Sequence, residues 1–215
     1  MKPEMYIQEN EKNILLKEFF AERAEGYHTF WQDLCNKYPG WEVDFVYRNC
    51  EPPAQFMAEI GAKLIDSAII TELTKEHFNP AVEIDALLIT ADNFHMFAPI
   101  HDKANPAPEM FWTSERIAEK LDRWRIYMSG SNYVLMSLWG NESEIFALEV
   151  QNVNAGASLL STTAQFAFGS GKQKMLYFVS DNMPIQYEAA QQVGFISCGK
   201  CATYQGVIRP LGTTQ

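Results

Sequence analysis

The stretch QNVNAGASLL, residues 151–160, decides how this chain is read. It follows EIFALEVQ (144–151), a run dense in aliphatic and aromatic residues. It opens a segment, 156–168, in which Leu159, Leu160, Ala164, Ala167 and Phe168 recur at helical spacing. The stretch is therefore a strand-to-helix junction. The first backbone N–H groups of a helix point outward without partners. Together with the helix dipole they attract a phosphate. Small residues let a phosphate approach, and the junction carries no acidic side chain. Taken by itself, the same stretch also fits an ordinary strand-to-helix turn.

The flanks give the junction its setting. RWRIYMS (123–129), YVLMSLW (133–139) and EIFALEVQ are separated by GSN and GNES, which predicts a three-stranded antiparallel meander. Upstream, IDALLIT (84–90) reads as a strand. PEMFWTSERIAEKLDRW (108–124) contains a helix that Thr113 or Ser114 can cap, and FAPIHDKANPAPEM (97–110) reads as a Pro-rich loop. Downstream, Gly169 and Gly171 stop the long helix and KMLYFVS (174–180) is a buried strand. Asp181 and Asn182 offer N-caps for a helix with Pro184 in its first turn. That helix has Ile185, Ala189 and Val193 on one face and ends at Gly194. FIS (195–197) and ATYQGVI (202–208) predict a last hairpin around CGK.

The chain has 215 residues, of which 47% are hydrophobic and 20% charged. That is ordinary for a globular protein with a core needing no disulfide or metal. A formal net charge of -10 argues against nucleic acid or an anionic membrane as partner. No apolar run approaches the roughly 20 residues of a membrane span, and MKPEMYIQENEKN lacks a signal peptide's apolar core. A cytoplasmic location with reduced cysteines is the expectation.

From about residue 82 to 209 the order of elements and the residues they carry resemble the GNAT superfamily of N-acetyltransferases. The family's loop reads Gln or Arg, two residues, Gly, one residue, Gly or Ala, then a Leu pair. Here Gln151, Gly156, Leu159 and Leu160 match, while Asn154 replaces the first Gly. Asn tolerates positive φ better than most residues. DNMPIQYEAAQQVGF (181–195) resembles the family's Asn-to-Gly-Phe segment. The resemblance implies an α/β (α+β) fold with a mixed, mostly antiparallel sheet flanked by helices. It also implies acetyl-CoA as co-substrate, bound by Leu148, Val150, Gln151, Asn152, Val153, Asn154, Ala155, Gly156, Ala157 and Asn182, and no metal.

The same skeleton occurs twice. FVYRNCEPPAQFMAEIGA (45–62) and FVSDNMPIQYEAAQQVGF (178–195) both begin Phe-Val, place Asn four residues on, and Gly twelve after that. MYIQENEKNILLKEFF (5–20) parallels LEVQNVNAGASLLSTT (148–163), with Gln8 standing where Gln151 stands. A longer helical region through Leu34 follows, interrupted at Gly26, then a strand WEVDFVY, a helix over 51–60 and a closing hairpin AKLIDSAIITEL. Residues 1–80 thus read as a partial GNAT-like repeat, the C-terminal half of the fold, before a complete domain at 81–215. Glu9 and Glu11 would repel a pyrophosphate in the first copy, so it reads as structural.

Acetyl transfer needs the thioester held, its carbonyl polarised and the amine deprotonated. By resemblance, backbone N–H groups of the fourth strand, residues 148–150, polarise the carbonyl. Glu144 and Glu149 are the candidate bases, with solvated strand-end charges as the plain reading of either. The family's acid is a Tyr four positions before the helix-ending Gly. Ala190 stands there, and Tyr187 is the candidate one turn earlier, with a packing Tyr as the alternative. The resemblance also implies that His95, His101 and the aromatic residues Phe94, Phe97, Phe111 and Trp112 fall on the acceptor side, with a structural role as the plain reading of either His. Cys198 and Cys201 read as a hairpin turn, since no second ligand pair stands at zinc spacing. The reading is an N-acetyltransferase acting on the amine of a small-molecule or peptide acceptor, with a homodimer left open. The alternative is a catalytically inert GNAT-like module that binds acyl-CoA or a protein partner.

Overall fold

A computed structural model describes residues 4–82, 84–106, 112–138 and 140–209. Phe111 lies outside them. In chain order the elements are β1 (Glu4–Gln8), β2 (Asn13–Lys17), α1 (Ala24–Lys37), β3 (Glu42–Arg48), α2 (Ala54–Glu59), β4 (Lys63–Thr74) and β5 (Leu87–Leu88). Then come α3 (Phe94–Ala104), α4 (Ser114–Ala118), β6 (Trp124–Ser129), β7 (Asn132–Ser137), β8 (Ser143–Glu149), α5 (Val153–Gly169), β9 (Lys174–Ser180), α6 (Pro184–Val193) and β10 (Ile196–Val207). The sheet is mixed and mostly antiparallel, with helices against it. The chain forms two compact units, Met1–Ile69 with Gly199–Gln215, and Ile70–Cys198.

In the first unit β1 and β2 form a hairpin that pairs Glu4 with Lys17 and Gln8 with Asn13. β2 then runs parallel to β3, and β3 antiparallel to β10. Alternation buries Ile14 and Leu16 of β2 and Val43, Phe45 and Tyr47 of β3. Phe56 of α2 and Leu34 of α1 close this core. Two sequence expectations change here. Ile14, Leu15 and Leu16 lie in a strand, because their alternation fits one buried sheet face, and the helix begins only at Ala24. Gln8 therefore ends a hairpin strand instead of leading into a helix. Gly26 lies inside α1, where a Cβ would crowd Ala21 at 2.9 Å.

In the second unit the meander forms as the spacing predicts, with β6 antiparallel to β7 and β7 to β8. The long helix starts at Val153, capped by the Asn152 side chain, whose Oδ1 accepts from the Ala155 N–H at 2.9 Å. One core fills the α5–α6 face through Leu148, Leu159, Ala164, Tyr177, Ala189 and Val193. A second fills the opposite face through Phe97, Ile117, Trp124, Tyr133 and Ala147. Thr113 caps α4, its Oγ1 accepting from the Arg116 N–H.

Four further expectations are corrected. The Pro-rich stretch at 97–110 is in part α3, with Pro99 inside it. Burial of Phe97 and His101 outweighs the lost backbone bond there. The N-cap of α6 is Met183, without a side-chain cap, so neither Asp181 nor Asn182 serves, although Pro184 does open the helix. AKLIDSAIITEL is one strand, β4, not a hairpin. The CGK hairpin is likewise absent, since β10 runs unbroken through Cys198 and Cys201. Gly199 marks a close approach and not a turn. A Cβ there would strike the Asn49 side chain, whose Oδ1 accepts from the Lys200 N–H at 2.9 Å.

Candidate active site

The second unit holds a strand edge that opens inside the sheet. β8 and β9 pair in parallel from Ser143↔Met175 to Ile145↔Tyr177. No strand on that side is recorded against β8 from Phe146 to Glu149 among the described residues, although both strands continue. On its other edge β8 stays paired with β7 up to Tyr133↔Glu149. The register shifts at Leu135 and Met136, leaving Phe146 as the extra residue of a bulge. A bulge adds local twist, and this one lies where the β8–β9 pairing ends.

Leu148 faces that opening. The Gln186 side chain of α6 donates to its carbonyl at 3.4 Å. In a strand the N–H and C=O of one residue leave on the same edge, so the Leu148 N–H points into the opening too. Just past β8, the first turn of α5 presents the N–H groups of Val153 and Asn154, which by position have no intrahelical acceptor. No charged side chain lies in residues 150–157, so the loop itself carries nothing that repels an anion. Gln151 is held away from the helix terminus: its Nε2 donates to Ser131 Oγ at 3.0 Å, and its N–H to Asn132 Oδ1 at 2.9 Å. Asn182 is exposed in the turn after β9, at the same end of the parallel pair.

Gly156 does a different job from the one the sequence suggests. It is buried, and a Cβ on it would lie 2.8 Å from Ala189 Cβ and 3.3 Å from Val150 Cγ2. Its missing side chain lets α5 and α6 approach closely rather than clearing room for a phosphate. Ala157, next to it, is also buried. Gly156→Ala should cost about 1–3 kcal/mol by overpacking. Ala189→Gly in the same chain should recover part of that loss. Denaturant unfolding of the two single variants and the double variant measures the coupling.

Glu149 and Glu144 part company. Glu149 lies opposite Tyr133 in register, at the open end of β8 and on the face covered by α3 and α4. It is half-buried, and burial pushes its carboxyl above the usual carboxylate range. Glu144 pairs with Leu176, where β8 and β9 are still joined. Five residues of strand, about 16 Å, separate the two.

The wall beyond Glu149 is a fixed polar chain. Buried His101 places Nε2 2.7 Å from the Trp112 carbonyl, which can only accept, so Nε2 carries the proton. Burial lowers the His101 pKa and keeps the ring neutral. Nδ1 therefore accepts from Tyr133 Oη at 2.9 Å, and Tyr133 Oη accepts from Asn105 Nδ2 at 2.8 Å. Asp102 takes the Ser114 N–H at 2.9 Å and Oγ at 2.5 Å, tying α3 to the start of α4. His101 thus ties α3 to β7 and to the Trp112 carbonyl, while His95 is exposed.

Tyr187 is not brought to the opening. It lies about 100° round α6 from Gln186 and lines a groove of about 470 Å³ with His77, Gln191 and Gly194. Ala190 is fully buried. Among the described residues the first unit shows no comparable edge between its parallel strands. There β2 and β3 stay paired, and the Glu18 N–H continues the ladder to the Val46 carbonyl at 2.8 Å. Its cavity of about 300 Å³ is lined by residues of α1, α2 and the segments before them, Tyr27, His28, Phe56 and Glu59 among others. Among the described residues no group of three His, Cys, Asp or Glu could hold a metal. Nor is any helix among them long and apolar enough to cross a membrane.

No family model matches the sequence, and no curated protein matches it. Solved structures do. A GCN5-related N-acetyltransferase from Sphaerobacter thermophilus superposes with a TM-score of 0.70 at 14% identity, covering 99% of this chain and 79% of that one. The chain has the GNAT fold. A tandem GNAT protein from the clavulanic acid biosynthesis pathway also shares it, at a TM-score of 0.61 and 10% identity over 97% of this chain and 79% of that one. A GCN5-related N-acetyltransferase from Kribbella flavida matches at 0.60 and 10% identity, over 90% and 80% of the two chains. The sequence resemblance implies an opened edge at residues 148–150, and the recorded β8–β9 pairing ends before them, at Ile145↔Tyr177. Sequence reasoning missed Gln186. The signal was a polar residue one turn before Ala190 on the face carrying Ala189 and Val193.

Proposed function

We propose that the chain is an N-acetyltransferase that moves the acetyl group of acetyl-CoA to the amine of a small-molecule or peptide acceptor. The observation that carries this is the unpaired edge of β8, with Leu148 facing the opening, beside the bare first turn of α5 and the half-buried Glu149. The residues fit the co-substrate. Val153 and Asn154 N–H groups would take its pyrophosphate, and the Leu148 edge its amide arm. Acetyl-CoA supplies an activated acyl group as a thioester. The Leu148 N–H points where negative charge develops on the acyl oxygen, and stabilises it without reorganising. Glu149 accepts the proton that the amine loses as its nitrogen bonds to the acyl carbon and the carbon–sulfur bond breaks. The departing thiolate takes a proton from water.

The first unit is, in this reading, a partial repeat with a structural role. The order β2-α1-β3-α2-β4 repeats as β8-α5-β9-α6-β10, and β2–β3 and β8–β9 are both parallel pairs. Thiol release from acetyl-CoA, measured across a panel of primary amines, tests the function. Release that rises with one amine supports it, and tight CoA binding without release on any amine contradicts it.

The placement of Tyr187 and the buried Ala190 favour a second reading, an inert GNAT module that binds acyl-CoA. Tyr187→Phe separates the roles. From its position on the flank of α6 we expect kcat to fall less than about threefold, where a general acid would show roughly 10²-fold or more.

A further inference from the structure

Resting on the donor site just proposed, we infer that Gln186 is a gate on that site, occupying the strand edge that the donor's amide arm must use. The face of α6 turned inward carries Ala189, Ala190 and Val193, all fully buried. At 100° per residue Gln186 stands at the centre of this face, one turn before Ala190. An amide at the centre of an apolar face needs a partner. It takes the Leu148 carbonyl. That carbonyl is the acceptor a neighbouring strand would use, had β9 stayed beside β8 beyond Ile145↔Tyr177. Gln186 thus caps an edge that would otherwise present an unpaired carbonyl inside the fold.

An arm of linked amides laid along β8 by strand-like hydrogen bonds competes for the same oxygen. At 3.4 Å the existing bond is longer than the ordinary N–H···O range of about 2.7–3.2 Å, so it covers the edge without locking it. Ligands that engage only the first turn of α5 do not meet Gln186. Ligands with an amide arm must displace it. The gate therefore discriminates by the presence of the arm and sets the donor's affinity below what the open edge would give.

Calorimetric titration of the full chain with CoA and with ADP, which has a pyrophosphate but no arm, tests this. The variants are Gln186→Ala, which removes bond and bulk, and Gln186→Met, which keeps bulk and removes the bond. Both should tighten CoA by about three- to tenfold, the worth of one neutral hydrogen bond, and leave ADP unchanged. If the wild-type chain binds CoA and both variants bind it equally or more weakly, the gate is overturned while the donor site stands. Equal tightening of ADP also overturns it, because the arm is then irrelevant. If the wild-type chain binds no CoA at millimolar concentration, the donor site fails and the gate with it.

Discussion

Glu149→Gln is expected to lower kcat by about 10²-fold or more while CoA binds as before. Glu149 is the carboxylate at the open end of β8, on the face walled by α3 and α4. Gln keeps the shape and cannot take a proton. The same substitution should stabilise the fold at neutral pH. Burial holds the Glu149 carboxyl above its ordinary range, so the folded state keeps a proton that the unfolded chain releases. That contribution to stability is fully present below the ordinary carboxylate pKa and is lost as pH rises through the raised value. Glu149→Gln removes this loss, so its melting temperature should exceed wild type at pH 7 and match it more closely at pH 4. The activity of the wild-type chain should rise with pH through the raised Glu149 value, because only the ionised base accepts the amine's proton. A Glu149→Gln enzyme with unchanged kcat would remove Glu149 from the chemistry, and Glu144→Gln, at the joined end of the strands, should have little effect in either case.

Gly194→Ala should cost roughly 3 kcal/mol or more, by two additive faults. Gly194 ends α6 with φ 101°, a left-handed conformation that side chains resist. A Cβ there would also run into the His77 carbonyl oxygen. The segment over α6 is held closely, with the Asn79 N–H donating to the Val193 carbonyl at 2.9 Å and Asn79 Nδ2 to the Gln192 carbonyl at 3.1 Å. The clash therefore cannot be relieved by moving one side chain. Chemical denaturation should show the loss. Because α6 packs through Ala189 on Gly156 in the first turns of α5, the helix start proposed to take the pyrophosphate, CoA affinity should fall as well.

How far the residues disclosed this architecture differs by element. The meander was legible because short apolar runs alternate with Gly-containing turns, and α6 because Pro184 and Gly194 bracket it. The two long strands were not. β4 carries four exposed residues at its start, and β10 contains Gly199, so each looked like a hairpin. Gly199 was read as a turn residue when it answers to the Asn49 side chain, which is distant in sequence. The site was partly legible. The loop at 151–156 sits at a helix start as its composition suggests, but the roles within it moved. Gly156 serves helix packing, and Gln151 binds the β6–β7 turn. The opening itself depends on where β8 and β9 stop pairing, which no local pattern records. On α6 Ala189 and Val193 are buried as the spacing predicts, but the inward face is turned by roughly 60° from the one centred on Ala189, since Ile185 is 37% exposed and Gln186 takes the centre.

The central claim is that the unpaired edge of β8 and the first turn of α5 receive the acyl donor. Amide hydrogen exchange with and without saturating CoA measures it most directly. Protection should appear at Leu148, Val153 and Asn154, the groups facing the opening and the helix start, and be missing over the continuously paired β2–β3 edge of the first unit. CoA binding that leaves Leu148, Val153 and Asn154 exchanging as before would contradict the account.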